Sequence, residues 1–141
     1  MTDDFRNYRR WFYAAAIYNL VWSVAVILFP GTLLRIADMS ATGVEPLVQV
    51  IGMMVGVYAY GYYLLAREPN RYCGLIWIAI AGKTLGPVGF IHAAFTGALP
   101  LKFGWICVFN DVIWWPMFWR FALKYAREPL SVPSDGSATN K

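Results

Sequence analysis

Paired thiols, histidines and charges are all scarce in this chain, and each shortage removes a class of function. There are two cysteines, Cys73 and Cys107, and no CxxC, so the adjacent thiols that a membrane thiol oxidoreductase works with are missing. The two fall near the starts of successive apolar runs, which antiparallel packing would hold at opposite surfaces, too far apart for a disulfide. The single histidine, His92, has no second His or Cys at ligand spacing; no metal is expected, and no other cofactor. Only 14% of the 141 residues are charged, against 59% hydrophobic, which is too little polar cover for a water-soluble domain of this size. A net charge of +4 does not point to nucleic acid, because the basic residues flank apolar runs and form no stripe on a polar face.

What the chain has is four long apolar runs separated by turn signals. Residues 1 to 10 are polar and basic and lead into the first run, residues 11 to 29. That run is longer than a cleavable signal core and is followed by Phe29, Pro30 and Gly31, not by a small-residue cleavage site, so it reads as a retained span. Residues 30 to 45 make the longest connection; Pro30 and Gly31 break the helix, and LLRIADM has the mixed character of a short interfacial segment. Pro46 suits the first turn of a second span, residues 46 to 65. REPNR is a tight turn, a third span covers 72 to 95, and a fourth covers 103 to 123. Short links predict that spans two, three and four are successive antiparallel neighbours. Residues 11 to 125 thus read as one four-span domain, and 126 to 141, rich in Ser and Pro with nothing to bury, as a disordered cytoplasmic tail.

Flanking charge predicts the orientation. Arg6, Arg9, Arg10, Arg67, Arg71, Arg120, Lys124, Arg127 and Lys141 fall on one side, against Arg35 and Lys102 on the other, which places both termini in the cytoplasm. Trp11, Tyr13, Tyr62, Tyr63, Tyr72, Trp119 and Tyr125 gather at the cytoplasmic ends of the spans, as an interfacial aromatic belt would. The expected fold is an all-α membrane protein, four transmembrane helices in an up-down bundle, multi-pass in the inner membrane if the source is bacterial.

Each span carries a strongly polar residue: Asn19, Gln49, Lys83, and the adjacent Asn110 and Asp111. At about 100° per residue, Asn19 shares its face with Ala15, Ala16 and Ser23, and Gln49 with Gly52 and Gly56. Lys83 shares its face with Ala79 and Gly86, and Asp111 with Gly104 and Cys107. Small residues belong at helix contacts and polar residues avoid lipid, so these faces should meet at the bundle centre. With ~1.5 Å rise per residue, Lys83 lies ~16 Å and Asp111 ~18 Å from the cytoplasmic surface, nearly level. Pro87 frees the carbonyl of Lys83 and Pro116 that of Val112, and freed carbonyls beside a buried charge pair can hold water or a ligand. Trp22, Tyr58, Trp77, Trp114 and Trp115 are candidates to line a cavity for a flat apolar or cationic ligand.

In size and four-span layout the chain resembles the small multidrug transporters. Those place their essential carboxylate in the first span, where this chain has Asn19, so their function does not carry over. The favoured reading is a non-enzymatic accessory or assembly subunit with a polar core built on Lys83 and Asp111. The alternative is a ligand-binding or proton-linked transport protein, with Asp111 taking and releasing a proton and Lys83 setting its affinity. A membrane enzyme acting on a lipophilic substrate stands third, for want of a nucleophile with an evident base. Expected partners are the bilayer, further copies of the chain or a larger membrane complex, and a small apolar or cationic ligand, but no nucleic acid.

Overall fold

Nothing in DDFRNYRR breaks a helix, and the first helix accordingly begins well ahead of the apolar run. In the computed structural model, which describes residues 3–40 and 43–126, α1 covers Asp3–Leu28. The basic segment is thus the first two turns of the span's own helix. Phe29 leaves the helical region, as a residue before proline tends to, and α2 follows at Pro30–Ile36, burying Leu34. Asp38 turns the chain with a positive φ of 57°. Next come α3 (Glu45–Arg67), a single turn α4 (Pro69–Tyr72) made by the end of REPNR and Tyr72, and α5 (Leu75–Phe95). Among the described residues all regular structure is helical, and Arg6–Leu28, Glu45–Arg67 and Leu75–Phe95 are long and apolar enough to cross a membrane. The tail predicted to be disordered lies, from residue 127 onward, outside the described residues.

The fourth apolar run is not one helix. It forms α6 (Phe103–Asn110), a 3-10 turn (Val112–Trp114) and α7 (Trp115–Tyr125). Two residues cause the break. Lys83 Nζ donates to the Asn110 carbonyl at 2.5 Å, which a continuous helix would have offered to Trp114, and the Trp114 N–H turns to the Asp111 carbonyl. Pro116 has no N–H to give Val112, whose carbonyl accepts from the Trp115 N–H instead. Pro116 therefore starts a helix and does not kink one.

Packing also departs from the predicted order of neighbours. The main partner of α3 is α1, while α3 and α5 touch only sparsely. Gly52 and Gly56 explain the first contact, since Cβ atoms there would stand 3.0 Å from Ile27 Cγ1 and 2.8 Å from Ser23 Oγ. Bulk explains the second: Tyr58 projects from α3 onto Gly82 of α5 and props the two helices apart. Below this gap, α1, α3, α5 and α7 close on a core holding Phe12, Tyr62, Ile76, Phe118 and Phe121. Phe12 and Phe121 meet edge-on with ring centroids 4.8 Å apart. A smaller core of Val26, Leu34 and Val48 joins α1, α2 and α3 at the other end. Arg9 Nε caps the end of α3 by donating to the Ala66 carbonyl at 2.8 Å, and Lys102 pairs with Asp38 across the opposite connections.

Candidate functional site

Between the two cores, three helices deliver polar groups to one point. Asn19 is placed by α1 and Lys83 by α5, both buried; the break between α6 and the 3-10 turn turns Asn110 and Asp111 inward. The Lys83 ammonium has three N–H bonds, and three acceptors lie around it. These are Asp111 Oδ1 at 3.1 Å, Asn19 Oδ1 at 3.1 Å and the Asn110 carbonyl at 2.5 Å. Asn110 Nδ2 also donates to Asp111 Oδ1 at 2.9 Å, and Asn19 Nδ2 holds its own helix through the Ala15 carbonyl at 2.8 Å. In return, Trp115 Nε1 donates at 3.2 Å to the Lys83 carbonyl that Pro87 leaves open. The ammonium is thus fully bonded, which is what makes its burial tolerable.

The pair is not sealed. A cavity of about 380 Å³ reaches Asn19, Lys83, Asn110 and Asp111, passes Tyr58 and Tyr62, and is walled by Gly82 and Gly86 on α5. Both glycines are there for room: a Cβ on Gly86 would stand 2.8 Å from Asp111 Oδ2, and one on Gly82 2.4 Å from the Tyr58 hydroxyl. Three buried polar atoms have no partner among the described residues, Asn110 Oδ1, the Tyr62 hydroxyl and Trp114 Nε1, and all three are closed off from the cavity as well as from solvent. Asp111 Oδ2 accepts no hydrogen bond from the described residues either; only Oδ1 is engaged. A carboxylate oxygen left unanswered on a cavity offers a hydrogen bond to another molecule.

No protein-family model, curated protein or solved structure matches the chain. The function has to be argued from the site itself.

Of the residues predicted to form a polar site, Asn19, Lys83, Asn110 and Asp111 come together and Gln49 does not. Gln49 Nε2 donates at 2.9 Å to the Ile27 carbonyl near the end of α1, so it joins helices away from the cavity. Of the aromatic residues, Tyr58 lines the cavity. Trp114 is buried in the aromatic core, Trp115 is spent on the Lys83 carbonyl, and Trp22 packs against the smaller core. Trp77 meets Trp119 edge-on and donates to the Ala126 carbonyl. The carbonyls expected to be free are occupied, that of Lys83 by an indole and that of Val112 by a backbone N–H. His92 is exposed on the last turn of α5, both cysteines are free, and no group of potential metal ligands occurs among the described residues.

Tyr62 is the residue that sequence reasoning misplaced. Expected in the interfacial belt, it is buried in the main core and is one of the residues that wall the cavity. Its spacing of four from Tyr58, on the same helix face, was the available signal.

Proposed function

We propose that this chain is a membrane protein crossing the bilayer four times, with both termini cytoplasmic, and that it binds a small ligand in the cavity at Asp111. The fourth crossing is supported by length: α6, the 3-10 turn and α7 together span ~34 Å at helical rise, enough for a ~30 Å hydrocarbon core. Both α6 and α7 lie against α5. Discontinuous helices inside a membrane occur where the interrupted backbone is buried in protein or lines a cavity. A reporter fused after Gly43 should read outside, and reporters after Asn70 and after Lys141 should read inside. An outside signal from the Lys141 fusion would sink the fourth crossing.

The binding reading rests on one observation, the Asp111 carboxylate lining an open cavity with its Oδ2 unanswered by any described residue. A register lock between helices would need the pair but not the cavity. Binding is the step common to a receptor and a carrier, and it calls for no nucleophile. To test it, native mass spectrometry of the protein purified from its membrane should find a non-protein mass on the wild type. Gly86→Leu, whose side chain fills the cavity, should lack it. Wild type and variant emerging equally bare would count against binding.

The second reading, an accessory subunit with a structural polar core, is favoured by the completeness of the Lys83 bonding. It assigns no role to the unanswered Asp111 Oδ2.

A further inference from the structure

The gap between α3 and α5 holds a second cavity, of about 470 Å³, and it differs in character from the first. It lies toward the Arg67 end of α3 and is lined by apolar side chains such as Val57, Leu64, Leu75 and Ile78. The two cavities share Met54, Tyr58 and Tyr62 as walls. Both have rims on the outer surface: Val57 and Ile78 for the apolar one, Ile51 and Leu85 for the polar one, all four exposed. The α3–α5 gap is therefore a cleft open along the side of the bundle, apolar toward one end and polar at the other. Each chamber falls within the size range of small-molecule sites, ~300–1,000 Å³.

The polar end has a definite hydrogen-bonding character. Lys83 has no donor to spare, because its three are taken by Asp111, Asn19 and the Asn110 carbonyl. What remains on the lining is one acceptor, Asp111 Oδ2 beside Gly86, together with the Tyr58 hydroxyl beside Gly82, which can give or take. The charges of Lys83 and Asp111 cancel, and the site lies deep in the spans. A charged head would have to be desolvated there without a counter-charge left to meet it. A neutral head that carries a donor meets no such penalty.

Resting on the binding reading above, we infer that the ligand is a neutral lipophile with a hydroxyl or N–H head, which slips in from the bilayer between α3 and α5. The head's O–H or N–H donates to Asp111 Oδ2, and the tail lies in the apolar chamber past Tyr58. Phospholipids do not fit, since their charged heads belong at the interface and this head lies in mid-membrane. An alkane or an ether fills the apolar chamber without answering Asp111 Oδ2, an acceptor whose burial without a donor costs free energy.

Gly61 provides a clean probe of the tail chamber. It lines that chamber, and a Cβ there would meet nothing within 4 Å, so Gly61→Phe should fold normally and block it. The test uses full-length protein in lipid nanodiscs, reading the melting temperature against 1-decanol and against decyl methyl ether, which has the same chain but no donor. Decanol should raise the melting temperature saturably, the ether should need at least tenfold more for the same shift, and Gly61→Phe should lose at least tenfold in apparent affinity for decanol. Asp111→Asn, if it folds, should bring the alcohol and ether responses together. Equal responses to the two probes in the wild type would overturn the donor head, and an undiminished decanol response in Gly61→Phe would overturn the tail path. A co-purifying polar solute that Gly86→Leu loses, with no decanol response, would overturn this inference and leave the binding reading standing. No bound mass together with no decanol response would remove both.

Discussion

Lys83→Met should be the most damaging single substitution in the molecule, and most of that damage should be recovered by adding Asp111→Asn. Removing the ammonium strands the Asp111 carboxylate with one neutral donor, Asn110 Nδ2, and leaves the Asn19 Oδ1 and Asn110 carbonyl acceptors without the donor they share. Breaking a buried pair from one side typically costs about 3–5 kcal/mol. Asp111→Asn alone leaves the ammonium among neutral oxygens and should cost a similar amount. The double variant has no buried charge, so it should be more stable than either single one, although it still carries unpaired neutral acceptors at about 1–3 kcal/mol each. Reversible unfolding in mixed micelles would give all four corners of the cycle. Simple additivity of the two losses would mean that the residues do not interact. A double variant that folds but no longer carries the bound mass would assign the charges to the ligand, whereas one that folds and still carries it would make the pair a structural device.

Gly52→Leu should rank next, by prying α1 from α3 where their backbones approach closely. A Cβ at this position would stand 3.0 Å from Ile27 Cγ1, 3.1 Å from Val26 Cγ1 and 3.3 Å from the Ser23 backbone carbonyl. The side chains could turn aside, but the carbonyl moves only with its helix. Overpacking a close contact costs about 1–3 kcal/mol, and here the Gln49 bond to the Ile27 carbonyl would be strained along with it. Gly89→Leu is the matched control, because a Cβ on Gly89 would meet nothing within 4 Å. It should stay within about 0.5 kcal/mol of the wild type. Equal melting temperatures for the two variants would show that the Gly52 contact does not hold the helices together.

Gly52 and Gly56 show how an ambiguous motif acquires a meaning. GxxxG spacing says that a helix backbone can be approached closely, without naming the partner. The other pair, Gly82 and Gly86, has the same spacing but serves no helix contact of that kind; it makes room for the Tyr58 hydroxyl and the Asp111 carboxylate.

By itself the sequence determined the helical class, the second and third long helices to within a few residues, and the meeting of Asn19, Lys83, Asn110 and Asp111. It could do so because burial of polar groups and small residues follows the helical period, and that period is local. The α3–α5 gap was decided only by tertiary structure, because whether two tyrosines fill a contact or prop it open depends on the helix opposite. The break in the fourth run was likewise decided there. Pro116 announced a disturbance, but its position and form depend on Lys83, 27 residues away, drawing off the Asn110 carbonyl. Competition for a backbone acceptor across that distance leaves no trace in the periodicity of either segment.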